Sequence, residues 1–358
     1  MQSKVNVISF EGQNIYIGID SHLKSWVITI MFNQMLYKTF SQNPNAKDLA
    51  NYLHKHFPDG NYYSAYEASF CGFSVHRDLE AHGIHNIILN PADIPTSDKE
   101  RKQKEDKRDS KKIAKALSAG QAEGIYIPSE SAVDIRNLVR YRKTLSKEIT
   151  RNKNRVKSLL YFQGIDIPME MNSASKYWSA RFTIWLRELS LKGPYSKEML
   201  LHLIDLTEQL REKLLTVTQS LRRFYKQGIY STQLRLLTGI PGIGLITAVT
   251  LLSEIEDINR FKNIDKLCSY VGLIPTSSSS GERKVEGRIT SRSNNSLRSI
   301  LIESAWVSVK NDPALMYAFT NLCKRMKRNE AIVRIAKKLL NRIRYVLKNE
   351  AEYVCSVV

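Results

Sequence analysis

Residues 15–30, IYIGIDSHLKSWVITI, constrain the fold more than any other stretch of the 358-residue chain. Apolar and small residues alternate as far as Asp20, and after a short polar break a β-branched run resumes from Trp26. Period-two patterning on both sides of a break predicts two antiparallel strands joined by a short turn. Asp20 then falls at the end of a buried strand. An unpaired charge is costly there, so the carboxylate needs a cation, a donor network or a metal. Capping of the turn through Ser21 is the other reading, and this stretch alone leaves both open.

The next segments extend the hairpin into a sheet. QMLYKTF offers a third strand, AKDLANYLHKHF a helix ending before Pro58, and NYYSAYEAS a strand running into Glu67. GFSVHRDLEAHG reads as a helix stopped by Gly83, and HNIILN as another strand. The order β-β-β-α-β-α-β predicts a mixed sheet with helices on its faces. Asp20 and Glu67 then sit at C-terminal strand ends, where open α/β sheets place their sites.

A highly charged segment comes next, with nine basic residues between Lys99 and Lys115. Its first part reads as a loop. From Asp106 the apolar spacing of Ile113, Ala114 and Leu117, with Gly120 as a stop, predicts a helix. Asp106 and Asp109 share one face of its first turn. The helix dipole alone favours acids there, so neither is informative by itself. Four carboxylates, Asp20, Glu67, Asp106 and Asp109, at strand ends and a following helix start have the layout of a ribonuclease H-like nuclease. Phosphodiester cleavage of that kind needs hard oxygen ligands for Mg²⁺ or Mn²⁺, which activates the attacking oxygen and neutralises the leaving one. Without metal, four clustered carboxylates would repel one another.

Charge agrees with a nucleic-acid partner. The 54 Lys and Arg against 35 Asp and Glu leave a net +19, which favours polyanions. No apolar run approaches the ~20 residues that span a bilayer, and the first residues lack a signal-peptide core. A cytoplasmic protein with no membrane partner is therefore expected. Cys71, Cys268, Cys323 and Cys355 are far apart and form no CxxC pair, so neither a zinc ribbon nor a disulfide framework is indicated. The pairs His54 with His56 and His82 with His85 have no nearby thiolates to complete a zinc site.

Two heptad seams mark the middle of the chain. One runs through Ile135, Leu138, Arg142, Leu145, Ile149, Asn152, Val156 and Leu159, broken by two polar residues. Its remaining surface is basic, with nine Lys and Arg against only Glu148 from Arg136 to Lys157. The other runs through Leu200, Leu203, Leu210, Leu214, Val217, Leu221 and Phe224. Either the two pair as a hairpin within one chain or they pair between subunits.

The character changes at LLTGIPGIGLITAVTLLSEI, where an apolar helix turns through Gly239, Pro241, Gly242 and Gly244 into a second helix near Leu245. This resembles a helix-hairpin-helix, whose free N–H groups suit a phosphate and make Gly242 and Gly244 candidate nucleic-acid contacts. An ordinary tight connection between helices is the alternative. PTSSSSGERKVEGRITSRSNNSLR then reads as a loop or short hairpin until about Asn295. Its serines, Ser277 to Ser280, precede Gly281, and Arg283, Lys284, Arg288, Arg292 and Arg298 could activate a serine and bind a scissile phosphate. A flexible linker has the same composition. The stretch from Lys324 to Lys348 is helical and strongly basic, with ten Lys and Arg and one acid.

The pieces YIGIDSHLKSW, AYEAS, KEDKRDSKKIA, GIPGIGLITAVTLLSEIEDINRF and YVGLIPTSSSSGERKVEGRITSRSNNSLRSILIESA together carry a family resemblance. The chain resembles insertion-sequence transposases that join an N-terminal DEDD, RuvC-like domain to a C-terminal serine-bearing domain. That group includes Piv-type DNA invertases and bridge-RNA-guided recombinases. The resemblance implies that Asp20, Glu67, Asp106 and Asp109 are metal ligands for Mg²⁺ or Mn²⁺, and that Ser280 is a nucleophile forming a covalent protein-DNA link, with Ser279 the alternative register. It also implies DNA as substrate, a bridge RNA as guide, and a homodimer or homotetramer.

Three parts are expected: a RuvC-like domain over 1–128, a helical coiled-coil region over 129–230, and a mostly α serine domain with a helix-hairpin-helix over 231–358. Two departures stand out. In ITSRSN, Ser291 and Ser293 replace the Lys and Gly common in the family, and Ser110 replaces an Ala. The expected function is a transposase or site-specific recombinase. A metal nuclease resembling junction resolvases and a non-catalytic nucleic-acid-binding protein are the alternatives.

Overall fold

The structure is a computed structural model that describes residues 9–93, 106–173, 177–227, 230–280, 283–290 and 293–355; the side chains of 106, 107, 227, 276–280 and 283–288 lie outside that description. The chain divides into two compact units, Met1–Ile127 and Pro128–Val358.

The first unit is built as the alternation requires. Strands β1 (Asn14–Ser21), β2 (Trp26–Phe32) and β3 (Met35–Gln42) form an antiparallel meander, with Asn33 and Gln34 at positive φ in its second turn. Two helices, α1 (Ala46–His56) and α2 (Ser74–Ala81), connect it to β4 (Asn61–Glu67) and β5 (His85–Leu89). The spatial order is β3-β2-β1-β4-β5, with β4 parallel to both β1 and β5. This is the mixed sheet that the strand and helix order predicts.

Each face of the sheet has its own helical cover. Ile15, Ile17 and Ile19 of β1 and Ile28 and Ile30 of β2 bury one face against Leu49, Leu53 and Leu79 of α1 and α2. On the opposite face Ala65 and Leu89 pack with Ile113 of α3 (Asp106–Ser118). A helix reaches β1 closely there because Gly18 has no side chain. A Cβ on it would lie 2.0 Å from the Ser110 carbonyl oxygen and 2.5 Å from the Ala114 nitrogen.

In the second unit the two heptad seams pair with each other inside one chain, as helices α4 (Glu130–Phe162) and α6 (Pro194–Gln227). Short α5 (Ala180–Glu188) lies between them in sequence. Both polar interruptions of the first seam have partners on α6. Asn152 donates to the Leu203 carbonyl and to Thr207 Oγ1, each at 2.7 Å, and Arg142 Nε donates to Thr218 Oγ1 at 2.9 Å. Such contacts fix the register of a helix pair. At its far end the seam departs from the heptad, with Leu160 buried and Leu159 only partly so.

The rest of this unit is helical: α7 (Ser231–Thr238), α8 (Leu245–Ile255), α9 (Ile264–Val271), α10 (Asn295–Asn311), α11 (Pro313–Cys323) and α12 (Arg328–Asn349). A two-stranded ribbon, β6 (Pro275–Ser280) and β7 (Arg283–Ile289), separates α9 from α10, the short-hairpin form of the serine-rich stretch. One core continues across residue 230, since Ile135 and Val139 of α4 and Leu221 of α6 pack with the later helices. All four cysteines are free. Among the described residues no helix is long and apolar enough to cross a membrane.

Candidate functional site

The parallel pairing of β1 with β4 matches Ile19 to Tyr66, so Asp20 and Glu67 come next, side by side on neighbouring strands. Side chains alternate between faces, which puts Asp20 on the face of Gly18 and Glu67 on the face of Ala65. Both are the face covered by α3. The direction of α3 is set by two contacts. Ser110 Oγ shares a 2.9 Å hydrogen bond with Thr29 Oγ1, whose residue pairs with Gly18, and Ser118 Oγ lies 3.8 Å from Met31 Sδ, whose residue pairs with Tyr16. The helix therefore runs antiparallel to β1, and its first turn continues toward the Asp20 end of the sheet.

Asp109 lies in that turn, half-buried, 3.6 Å from Lys112 Nζ. Asp106 is the first residue of α3, and its side chain lies outside the described residues. Asp20 is 20% exposed and its Oδ2 lies 3.2 Å from His22 Nε2. The order DSH places that imidazole at the same strand end, a neighbour that strand patterning alone does not single out.

The loop after Glu67 is held by Tyr66, which is fully buried. Its hydroxyl donates to the Gly72 carbonyl at 2.9 Å and accepts from the His76 amide at 3.1 Å. Burial pushes this phenol above its ordinary value, so it remains a neutral donor and acceptor. The donors along the strand ends and α3 are carboxylate oxygens, the chemistry that hard divalent cations take. Among the described side chains no three His, Cys, Asp or Glu groups are gathered as a metal cluster.

The serine candidate stands on a different element. In the ribbon Ser280 pairs with Arg283 and Ser279 with Lys284, so Ser280 ends β6 at the turn and two of the predicted cations directly oppose the serines. The side chains of Ser279, Ser280, Arg283, Lys284 and Arg288 lie outside the described ones, as does the whole of Arg292. Arg298 is described. It donates to the Thr290 carbonyl at 2.6 Å and the Gly272 carbonyl at 3.5 Å, and also bonds Asn295, which ties the end of the ribbon to α9 and α10.

Ser293 fits beside Gly272 for a steric reason. Gly272 caps α9 at φ +83°, and a Cβ there would come 2.1 Å from the Ser293 Cβ. Beneath this junction lies Glu254, 1% exposed, a second residue that no local sequence pattern marks. It accepts both Nε (2.8 Å) and Nη2 (2.9 Å) of Arg140, and Nδ2 of Asn294 at 2.9 Å. Arg136 Nε stands 3.7 Å away and donates to the Ser253 carbonyl at 2.8 Å.

Gly242 and Gly244 lie in the turn between α7 and α8, as predicted. Gly242 has φ +88°, and a Cβ on it would lie 2.5 Å from both the Ser304 carbonyl oxygen and Ser308 Oγ, so its position is set by packing on α10. Gly244 has open space around it and caps α8 without a side-chain bond, which leaves that helix start accessible.

Both parts of the chain match transposase family models. Residues 17–163 match the DEDD-type IS110 model, described as a transposase, and residues 234–320 match the model described as the transposase IS116/IS110/IS902 family. These two stretches are thus similar to transposases of the IS110/IS116 family, the DEDD-type match falling in the N-terminal part. Among similar proteins, "Putative transposase y4qE" of Sinorhizobium fredii is 28% identical over 68% of this chain and 58% of its own length. This match therefore takes in less than two thirds of that relative. "Putative transposase y4rJ" of the same organism is 29% identical over 91% of this chain and 90% of its own length. The transposase for insertion sequence element IS1111A of Coxiella burnetii is 26% identical over 80% of this chain and 78% of its own.

Proposed function

We propose that the chain is a transposase or site-specific recombinase that cuts and rejoins DNA through Ser280, assisted by a divalent metal at Asp20, Glu67, Asp106 and Asp109. The observation that carries this reading is the strand-end geometry. Two parallel strands in register carry Asp20 and Glu67 at their C-terminal ends, and the helix lying on them has Asp106 and Asp109 in its first turn. The mixed order β3-β2-β1-β4-β5 supports a ribonuclease H-like, RuvC-like domain. Mg²⁺ or Mn²⁺ bound by these carboxylates would supply charge to neutralise a phosphate.

Ser280 Oγ attacks phosphorus, forming a serine-phosphate ester as the bond to a deoxyribose oxygen breaks. The serine gives up its proton and the departing oxygen takes one. The hydroxyl of a second strand then attacks the ester, releases the serine and leaves a rejoined phosphodiester. Arg283, Lys284, Arg288 and Arg292 would hold the phosphates near the serine, and Gly244 at the open start of α8 would hold one in a helix-hairpin-helix manner. A guiding bridge RNA, a homodimer or homotetramer, and work in the cytoplasm complete the proposal. The net charge of +19 suits both nucleic acids.

The test is to incubate the chain with DNA and Mg²⁺, denature it, and look for DNA bound to protein. The wild-type chain is expected to form an adduct and Ser280→Ala to form none. An adduct that persists in Ser280→Ala moves the nucleophile elsewhere, with Ser279 next. Cleaved ends with no adduct at any stage indicate a metal nuclease in which water attacks. Function unchanged in Asp20→Asn would leave only a nucleic-acid-binding role.

A further inference from the structure

A cleft in the second unit is walled on one side by Arg140, Lys143, Thr144 and Lys147 of α4, and on the other by Ser293, Asn294, Asn295 and Ser296 where the chain enters α10. Among the described residues that line it, none is acidic. Three cations at i, i+3 and i+7 share one helix face, an arrangement that costs stability in the absence of an anion. Lys143 feels this directly. Burial and the neighbouring Lys147 push its ammonium below the ordinary value, with Glu303 and Glu254 acting the other way.

Lys143 Nζ already donates to Ser296 Oγ at 3.1 Å, so one cation is oriented across the cleft. Arg140 is oriented from behind, because Glu254 takes its Nε and one Nη2 hydrogen and leaves further guanidinium hydrogens for another acceptor. Asn294 already satisfies the Ser296 and Leu297 amides at the start of α10. The Thr144 and Ser293 hydroxyls already donate to the Arg140 carbonyl and Asn295 Oδ1, so the binding groups are the three cations with the Ser296 hydroxyl and the Asn295 side-chain amide. That set matches the oxygens of a phosphodiester.

We propose that this cleft is a phosphate-binding site that grips the nucleic-acid backbone beside the ribbon carrying Ser280. It rests on the reading of the chain as a nucleic-acid enzyme but not on the identity of the nucleophile.

The test measures binding of the full chain to duplex DNA and to a folded RNA across a salt series, in the Ser280→Ala background so that no cleavage intervenes. Lys143→Gln with Lys147→Gln should lower the slope of log affinity against log salt by about 1 to 2. Lys310→Gln with Lys348→Gln, an equal loss of charge at exposed positions outside the cleft, should leave the slope unchanged. Thermal melting should show the cleft variant as stable as the parent or more so, since a like-charge pair is removed. A drop on DNA alone, on RNA alone or on both supports the site and says which backbone it holds. No drop, or an equal drop in the control pair, overturns it.

Discussion

Two of the close approaches built on glycine among the described residues, at Gly18 and at Gly272, are secured in different ways. At Gly18 a helix backbone rests on a strand backbone, and the contact is among main-chain atoms at 2.0 to 2.5 Å from where a Cβ would be. At Gly272 the incoming group is the Ser293 side chain, and the surroundings are held by charge: Arg298 on two carbonyls, and Glu254 on Arg140 and Asn294. The first positions the carboxylate edge mainly by this backbone approach, with the Ser110–Thr29 hydrogen bond beside it. The second positions the base of the serine ribbon through ion pairs and hydrogen bonds, which tolerate small shifts but depend on every partner.

The sharpest way to break the comparison is Gly18→Ala. Backbone atoms cannot step aside as a side-chain tip can, so overpacking should cost about 3 kcal/mol or more. The first turn of α3 should also lift away from Asp20. Denaturant unfolding should show the loss, and DNA cleavage should fall although no carboxylate is changed. A variant with normal stability and activity would mean that α3 is not fixed by this contact.

Glu254→Ala comes next. It leaves Arg136, 9% exposed, beside an empty position and removes the partner of Arg140, a loss of about 3 to 5 kcal/mol. Unfolding of the second unit should register it while the first unit's midpoint stays in place. Arg298→Lys should be milder. A single ammonium cannot reproduce the fork that spans Thr290, Gly272 and Asn295, and about 1 to 2 kcal/mol should be lost. Faster amide exchange at Thr290 would report the loosened end of the ribbon.

Legibility in the sequence divides along the same line. Alternation, together with stops such as Pro58 and Gly83, carries the strand order and places Asp20 and Glu67 at strand ends, because a period-two pattern fixes both register and face. The serine ribbon is legible only as a loop or hairpin, since SSSS has no alternation. The seams on α4 and α6 are readable while their partner is not, because a heptad specifies a face and says nothing of which chain supplies the other one.

Glu254 is invisible in the sequence. In TLLSEIED it is one acid on an apolar helix, and its partner Arg140 is 114 residues away. Arg298 misleads in a related way: its charge suggests phosphate, yet its described bonds go to carbonyls and an amide. Local pattern reports periodicity and strand ends well, and reports long-range polar pairing poorly.

Ser110→Ala should have the smallest effect and still discriminate between shape and charge. Ser110 is fully buried and its hydroxyl meets Thr29 at 2.9 Å, while Thr29 also shares a 3.0 Å bond with Thr39. Removing the Ser110 hydroxyl leaves Thr29 a partner, so the cost should be about 1 kcal/mol or less. Alanine preserves the Ser110 carbonyl that rests over Gly18, which is the contact that positions α3. Cleavage should therefore be nearly unchanged. If instead activity fell as far as in Gly18→Ala, the hydroxyl bond rather than the backbone approach would be holding α3, and the carboxylate edge would depend on polar pairing as the ribbon base does.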